Sequence, residues 1–141
     1  MIQKRLGIIM YQTSNSKGQE LVAQRMVRDF NKLGQKAYLI TSVFHDGKEV
    51  VPTENLSKGK GYLFAEDNML KIPVVRVDSY TAKWPPRRIV FRDFIHILES
   101  IVDEFELNVL ITHSTLWNGP EDVAKFVTWR RDMRSLGGYR D

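Results

Sequence analysis

Two clusters of small hydrogen-bonding residues are the parts of this sequence whose side chains and spacing could do chemistry. The first is Thr13-Ser14-Asn15-Ser16-Lys17-Gly18; the second is His113-Ser114-Thr115, continued by Leu116-Trp117-Asn118-Gly119. A loop of the first kind, leading into a helix, can hold an anion such as phosphate on its backbone N–H groups and on the positive helix end. Gly18 admits a ligand close to the backbone, and Lys17 adds a charge beside it. The same residues also suit a plain helix cap, with Ser16 holding free amides through its hydroxyl. His113 has the second kind of chemistry. A neutral imidazole there could hydrogen-bond a sugar hydroxyl or take part in proton transfer, or it could simply close the strand before it. Trp117 and Asn118 suit either an acceptor pocket or local packing, and Trp84 beside Pro85-Pro86 has the same two readings.

Both clusters need elements to position them. Leu6-Gly7-Ile8-Ile9-Met10-Tyr11 is apolar without alternation, the mark of a strand covered on both faces. From Gln19 the period turns helical: Val22, Ala23, Met26, Val27, Phe30 and Leu33 share one stripe, with charged and amide residues opposite. Gly34 follows where a helix end favours a positive φ. Lys36 to Thr41 is the next strand, and together these make a βαβ unit. Asn108 to Thr112 is a second buried-type strand, ending at His113. Right-handed crossovers predict the strand order third, second, first, fourth. The first and fourth strands would then be neighbours, and Thr13–Gly18 would face His113–Gly119 across a crevice at their carboxyl ends. The loop lacks both G-x-x-x-x-G-K-[ST] and G-x-G-x-x-G, which argues against P-loop hydrolysis and a nicotinamide dinucleotide.

The rest of the chain extends this unit. Ser42 to Lys60 has no apolar period and reads as an exposed excursion, with His45 beside Asp46-Gly47 as a turn within it. Gly61–Ala65 and Ile72–Val77 read as a β-hairpin, with Pro73 forcing a late start or an edge position. Pro85-Pro86 bars a helix before Arg87, and from there to Phe105 a helical stripe runs through Phe91, Phe94, Ile95, Leu98, Ile101, Val102 and Phe105. Pro120, Glu121 and Asp122 start a last helix, expected to run to Leu136 before Gly137-Gly138. Alternating strands and helices define an α/β chain with an open, mostly parallel sheet, helices on both faces and a β-hairpin insertion.

The totals bound the partners. At 141 residues the chain is a single domain, residues 1–141. It has no cysteine, so it has no disulfide framework, thiolate metal site or cysteine nucleophile. The three histidines lack metal-ligand spacing, and no metal is expected. No apolar run reaches the roughly 20 residues that cross a bilayer, no signal peptide is evident, and the expected location is cytoplasmic. The net charge of +4 comes without a basic stripe interleaved with aromatics, which argues against nucleic acid. Arg130, Arg131 and Arg134 form either a solvated helix face or a peripheral contact with an anionic membrane surface.

The order of these motifs resembles the N-terminal half of family 4 glycosyltransferases. Leu33-Gly34-Gln35-Lys36-Ala37-Tyr38-Leu39-Ile40-Thr41 matches that family's "leucine-glycine-x-x-alanine/valine" entry into the second strand. Asn108-Val109-Leu110-Ile111-Thr112-His113-Ser114 matches its "asp/asn-valine-x-x-x-his-ser" strand, and Val74-Val75-Arg76-Val77 resembles its intervening strand. The resemblance implies the N-terminal, Rossmann-like domain of a two-domain GT-B enzyme: a retaining hexosyltransferase that holds the acceptor, needs no cofactor and uses a nucleotide-sugar donor. It implies His113 as the catalytic-side contact to the donor sugar. Lys17 and Gly18 would contact the donor phosphate, and Thr13, Ser14, Ser16, Ser114, Trp117 and Asn118 would line the substrate cleft. One departure is Lys17-Gly18 where the family carries paired glycines. The family's carboxylate pair belongs to a C-terminal domain, present in cis or as a separate subunit, so this chain alone is expected to be an incomplete catalytic unit. The acceptor is not specified. Two other readings are a non-catalytic interaction or regulatory module and a small flavodoxin-like nucleotide binder.

Overall fold

The unbroken apolar runs of the sequence form the middle of one sheet. In the computed structural model, which describes residues 3–112, 120–131 and 133–136, β1 (Arg5–Ile9) leads through α1 (Gly18–Lys32) to β2 (Lys36–Thr41). Then come β3 (Phe44–His45), β4 (Lys48–Glu49), α2 (Thr53–Ser57), β5 (Tyr62–Asp67) and β6 (Ile72–Val77). The chain continues with β7 (Ser79–Thr81), β8 (Ile89–Phe91), α3 (Phe94–Phe105), β9 (Val109–Thr112), α4 (Pro120–Arg130) and β10 (Arg134–Leu136). The main sheet has the order β10-β9-β1-β2-β6-β5. All neighbours are parallel except β5, which runs antiparallel to β6. The chain is thus a mixed α/β protein with a mostly parallel sheet, and its four inner strands stand in the expected order. Pairing of β1 with β9 sets Ile9 beside Thr112, so both strands end at the same edge.

Pleating sends alternate side chains to opposite faces, which is why these strands can be apolar throughout. Leu6, Ile8, Leu39 and Val74 pack with Ala23 and Val27 of α1. Ile9, Ile40, Val75 and Leu110 pack on the other side with Leu98 and Ile101 of α3 and Val127 of α4. Within the α1 stripe, Val22 and Leu33 point outward, at 42% and 75% exposure, because α1 touches the sheet along a narrower line than its sequence period suggests. Pro73 pairs with Glu66 of β5, and the parallel ladder to β2 starts only at Val74, as a residue without an N–H requires.

Three stretches depart from expectation. The Ser42–Lys60 excursion is structured: β3 pairs with β4, and Val43, Phe44 and Leu56 form a small buried cluster. Ile89–Phe91, expected as the first helical turn, pairs with Ser79–Thr81, and the helix begins only after Asp93 takes a left-handed backbone. The last helix stops at Arg130, and Arg134–Leu136 joins β9 as a parallel strand. At the end of α3, Glu104 is exposed and also paired: it accepts from Lys60 Nζ at 3.0 Å and from the Tyr62 hydroxyl. Those bonds hold its carboxyl below the usual range, while burial and Glu104 itself push the Tyr62 phenol up.

Gly34 and Gly61 both have φ of +90° but differ in surroundings. A Cβ on Gly34 would meet nothing, whereas one on Gly61 would stand 2.6 Å from Ile97 Cδ1. Gly34→Ala should therefore cost only backbone strain, about 1 kcal/mol. Gly61→Ala should add overpacking, for a total of roughly 2–4 kcal/mol. Urea unfolding of both variants checks this; equal losses would refute the packing term.

Candidate functional site

The carboxyl edge of the sheet is built around one buried cation. Arg76 on β6 is 6% exposed. Its Nη1 donates to the carbonyls of Ser42 at 2.9 Å and Phe44 at 3.0 Å, and its Nη2 donates to Thr13 Oγ1 at 2.9 Å. Three separate segments, those after β1, after β2 and at β3, are thus joined by one guanidinium. Its nearest carboxylate, Asp67, lies 3.9 Å away. Burial pushes the guanidinium pKa down, and Asp67 partly opposes that.

The polar loop after β1 is fastened to the β3–β4 turn. Thr13 N donates to Phe44 O at 3.2 Å, and Asp46 N donates to Thr13 O at 2.9 Å. The Ser14 hydroxyl donates to the Asp46 carboxylate, and Asn15 N donates to Asp46 Oδ2 at 3.1 Å. Ser14 Oγ in turn accepts from Ser16 N at 3.0 Å and Lys17 N at 2.8 Å. Gln24 on α1 clamps the Ser14 backbone from both sides, at 2.8 and 3.0 Å. The amides that could receive a phosphate at Asn15, Ser16 and Lys17 are therefore already used, by an internal carboxylate and an internal hydroxyl. The capping hydroxyl is that of Ser14 rather than Ser16, and Lys17 is the N-cap residue without a side-chain cap bond.

The expected site residues accordingly separate. Thr13 and Ser14, assigned to a substrate cleft, are fully buried and spend their hydroxyls inside the chain. Ser16, Lys17 and Gly18 are exposed, and a Cβ on Gly18 would meet nothing within 4 Å. His113, Ser114, Trp117 and Asn118 lie outside the described residues. Sequence reasoning passed over Asp46, Gln24 and Arg76. Asp46-Gly47 read as a turn, and Gln24 lay on the polar side of the helical wheel. Arg76, a charge inside Val74-Val75-Arg76-Val77, was the visible signal of a buried ion.

His45, read as turn, sits in this network. Its Nδ1 is 2.7 Å from Thr13 Oγ1, and its Nε2 is 3.6 Å from Asp46 Oδ2. The series Thr13, His45, Asp46 has the form of an activated nucleophile. However, the Thr13 oxygen is fully buried and accepts from Arg76, so it meets no substrate. Its role is to hold the edge together.

The open part of the edge lies in front of this wall. A cleft of about 550 Å³ is lined by Gln12, Lys17, Asp46, Thr81, Arg87 and Ile89. A second, of about 360 Å³, shares Gln12, Arg87 and Ile89 and adds Tyr11, Pro85, Pro86 and Arg88. Arg87 holds a left-handed backbone with φ of +68°, which costs a long side chain about 1–2 kcal/mol. Neither Arg87 nor Arg88 forms an ion pair with a carboxylate among the described residues. Arg130 and Arg131, by contrast, are held by Glu99, and Arg131 Nη1 also reaches Asp103 at 2.9 Å. Among the described residues no group of three His, Asp or Glu could hold a metal ion, and no helix is long and apolar enough to cross a membrane. Compared with protein-family models, with curated proteins and with solved structures, the chain matches none.

Two outcomes follow from the wall. Arg76→Met leaves two carbonyls and a hydroxyl buried without their donor, and should cost about 3 kcal/mol or more in urea unfolding. Arg76→Lys should recover only part, because a point ammonium cannot fork to three acceptors. The Ser14 hydroxyl, then the Asn15 amide, hold the Asp46 carboxyl below its ordinary value. Its contribution to stability is thus present above the unfolded value of about 3.9 and is lost as pH falls through the lower folded value. An NMR titration should show Asp46 with a depressed midpoint that Ser14→Ala moves upward; an unmoved midpoint would remove the assigned cause.

Proposed function

We propose that this chain is the acceptor-side, N-terminal domain of a nucleotide-sugar-dependent, GT-B type glycosyltransferase, a cytoplasmic protein whose other half binds most of the donor. In this reading the sheet is the Rossmann-like unit of such a domain, with β5 and β6 as its hairpin insertion. The observation that carries the proposal is the cleft at the carboxyl edge, lined by Lys17 and Arg87 and lying beyond the end of β1, the strand from which the sheet order runs both ways. Ligands of open α/β sheets bind at this kind of switch point. Thr112 pairs with Ile9 there, and His113 is the next residue.

The chemistry required is modest. Breaking the bond between sugar and diphosphate builds negative charge on the leaving phosphate, and fixed positive groups lower that barrier. The Lys17 ammonium and the backbone at Gly18 supply such groups at the cleft rim. His113 holds the transferred sugar near its reacting carbon, so that the acceptor hydroxyl meets it in one orientation. Retention of anomeric configuration and independence from metal belong to the same proposal.

The test supplies the missing half. The chain is co-expressed with the C-terminal domain of a family 4 enzyme and assayed for acceptor-dependent release of nucleoside diphosphate from a nucleotide sugar. Release is expected, and His113→Ala should lower it by about two orders of magnitude. A combined protein that assembles yet releases nothing, or a His113→Ala form as active as its parent, would overturn the reading.

A further inference from the structure

We infer that the hairpin end of the cleft, at Arg87 and Arg88, holds a phosphate group carried by the acceptor. This rests on the reading of the cleft as the acceptor side of a sugar transferase and names the class of acceptor. Arg88 is half-buried, and its Nε is sequestered from solvent without a hydrogen-bond partner among the described residues. A buried guanidinium N–H left unpaired costs about 1–3 kcal/mol. Arg87 reaches the same cleft from a strained backbone that glycine would adopt freely. Strain of that kind persists where the surrounding structure, or a function, demands it. Arginines lining one cleft suit the oxygens of a phosphate, which accepts paired N–H bonds from arginine.

Two other positive surfaces include carboxylates. Arg130 and Arg131 are committed to Glu99 and Asp103. A cleft of about 530 Å³ at the opposite end of the sheet holds Arg28, Lys32 and Lys71, but Glu66 shares its wall and Arg28 is bonded to Leu70 O at 3.2 Å. The hairpin cleft combines arginines that have no ion pair among the described residues with an apolar wall. That wall is Tyr11, Pro85, Pro86 and Ile89, against which the carbon skeleton of an acceptor can lie while its phosphate meets the arginines. Trp84, 80% exposed on the same hairpin, stands where it could enter the headgroup layer if the phosphate belongs to a lipid.

Two binding measurements on the 141-residue chain separate the sources. Calorimetry compares glucose 6-phosphate with glucose, and co-sedimentation compares phosphatidylglycerol with phosphatidylcholine vesicles. Binding of the phosphate ester assigns a soluble acceptor; binding of the anionic vesicles alone assigns a lipid headgroup. Arg87→Gly removes the guanidinium while relieving the backbone, so it should melt no lower than its parent and bind the phosphate form about tenfold more weakly. The inference fails if neither phosphate form binds better than its neutral counterpart, or if Arg87→Gly binds it equally well. These readouts need no sugar transfer. Their failure therefore removes the acceptor class alone, whereas a silent two-half assay removes the transferase reading.

Discussion

A guanidinium taken out of water is expensive, and the burial of Arg76 sets the terms for the whole carboxyl edge. Isolated ions lose several kcal/mol on burial unless every donor finds an acceptor. Here the acceptors are neutral: two carbonyls and one hydroxyl, with Asp67 at a distance of 3.9 Å. Neutral partners satisfy the N–H groups without cancelling the charge. The segments after β1 and β2 must therefore bring Thr13, Ser42 and Phe44 to the guanidinium, and their backbones cannot relax independently. The residual positive charge, together with the N-terminus of α1, favours a carboxylate nearby. Asp46 meets that demand through Ser14 and Asn15.

A second buried charge does the same work for the other side of the edge. Asp78, 5% exposed, accepts from the hydroxyls of Thr53 and Ser57 and lies 3.4 Å from Arg92 Nε. It fixes α2, and through the Arg92 N–H bond to its carbonyl at 2.9 Å it fixes the junction between β8 and α3. Arg76 and Asp78 stand one residue apart at the end of β6. Each holds loops that could not hold themselves, because two- and three-residue strands bury too little to be stable alone. The cleft thus has a rigid back and a rim of long, mobile cations, a division suited to a ligand that is positioned by shape and attracted by charge.

What the sequence made legible follows from this division. Strands β1, β2, β6 and β9 announce themselves as short unbroken apolar runs, and helices α1 and α3 by a 3.6-residue period. Their order follows from connection handedness alone. The pairs β3–β4 and β7–β8 and the strand β10 are too short to show any period, and Ile89–Phe91 merged with the helical stripe beyond it. Gln24 and Glu99 looked like solvent residues because their burial is decided by partners far away in sequence, Ser14 and Arg131. At the site, the composition of Thr13–Gly18 correctly signals a cluster of hydrogen bonds. It does not say whether those bonds go to a ligand or to the chain, because the competitor, Asp46, arrives from another element.

The same distinction decides how the positive charge should be weighed. A net charge of +4 is spread over many solvated lysines, and on a helix face such a residue costs nothing and implies nothing. Position becomes informative only where the fold carries a cost to keep a charge. Three long side chains have left-handed backbones: Lys71, Glu106 and Arg87. Lys71 turns β5 into β6 and Glu106 ends α3, tasks for which a left-handed residue serves in any protein. Arg87 closes a turn as well, yet it does so at the mouth of a cleft, beside a second arginine whose buried Nε has no acceptor among the described residues. Glycine would make that turn without strain, and a carboxylate would quench that pair of arginines. Among the described residues, carboxylates stand against Arg92, Arg130 and Arg131 and none pairs with Arg87 or Arg88. A cost borne without an internal return at one end of a cleft is the physical reason to look there for an anion from outside.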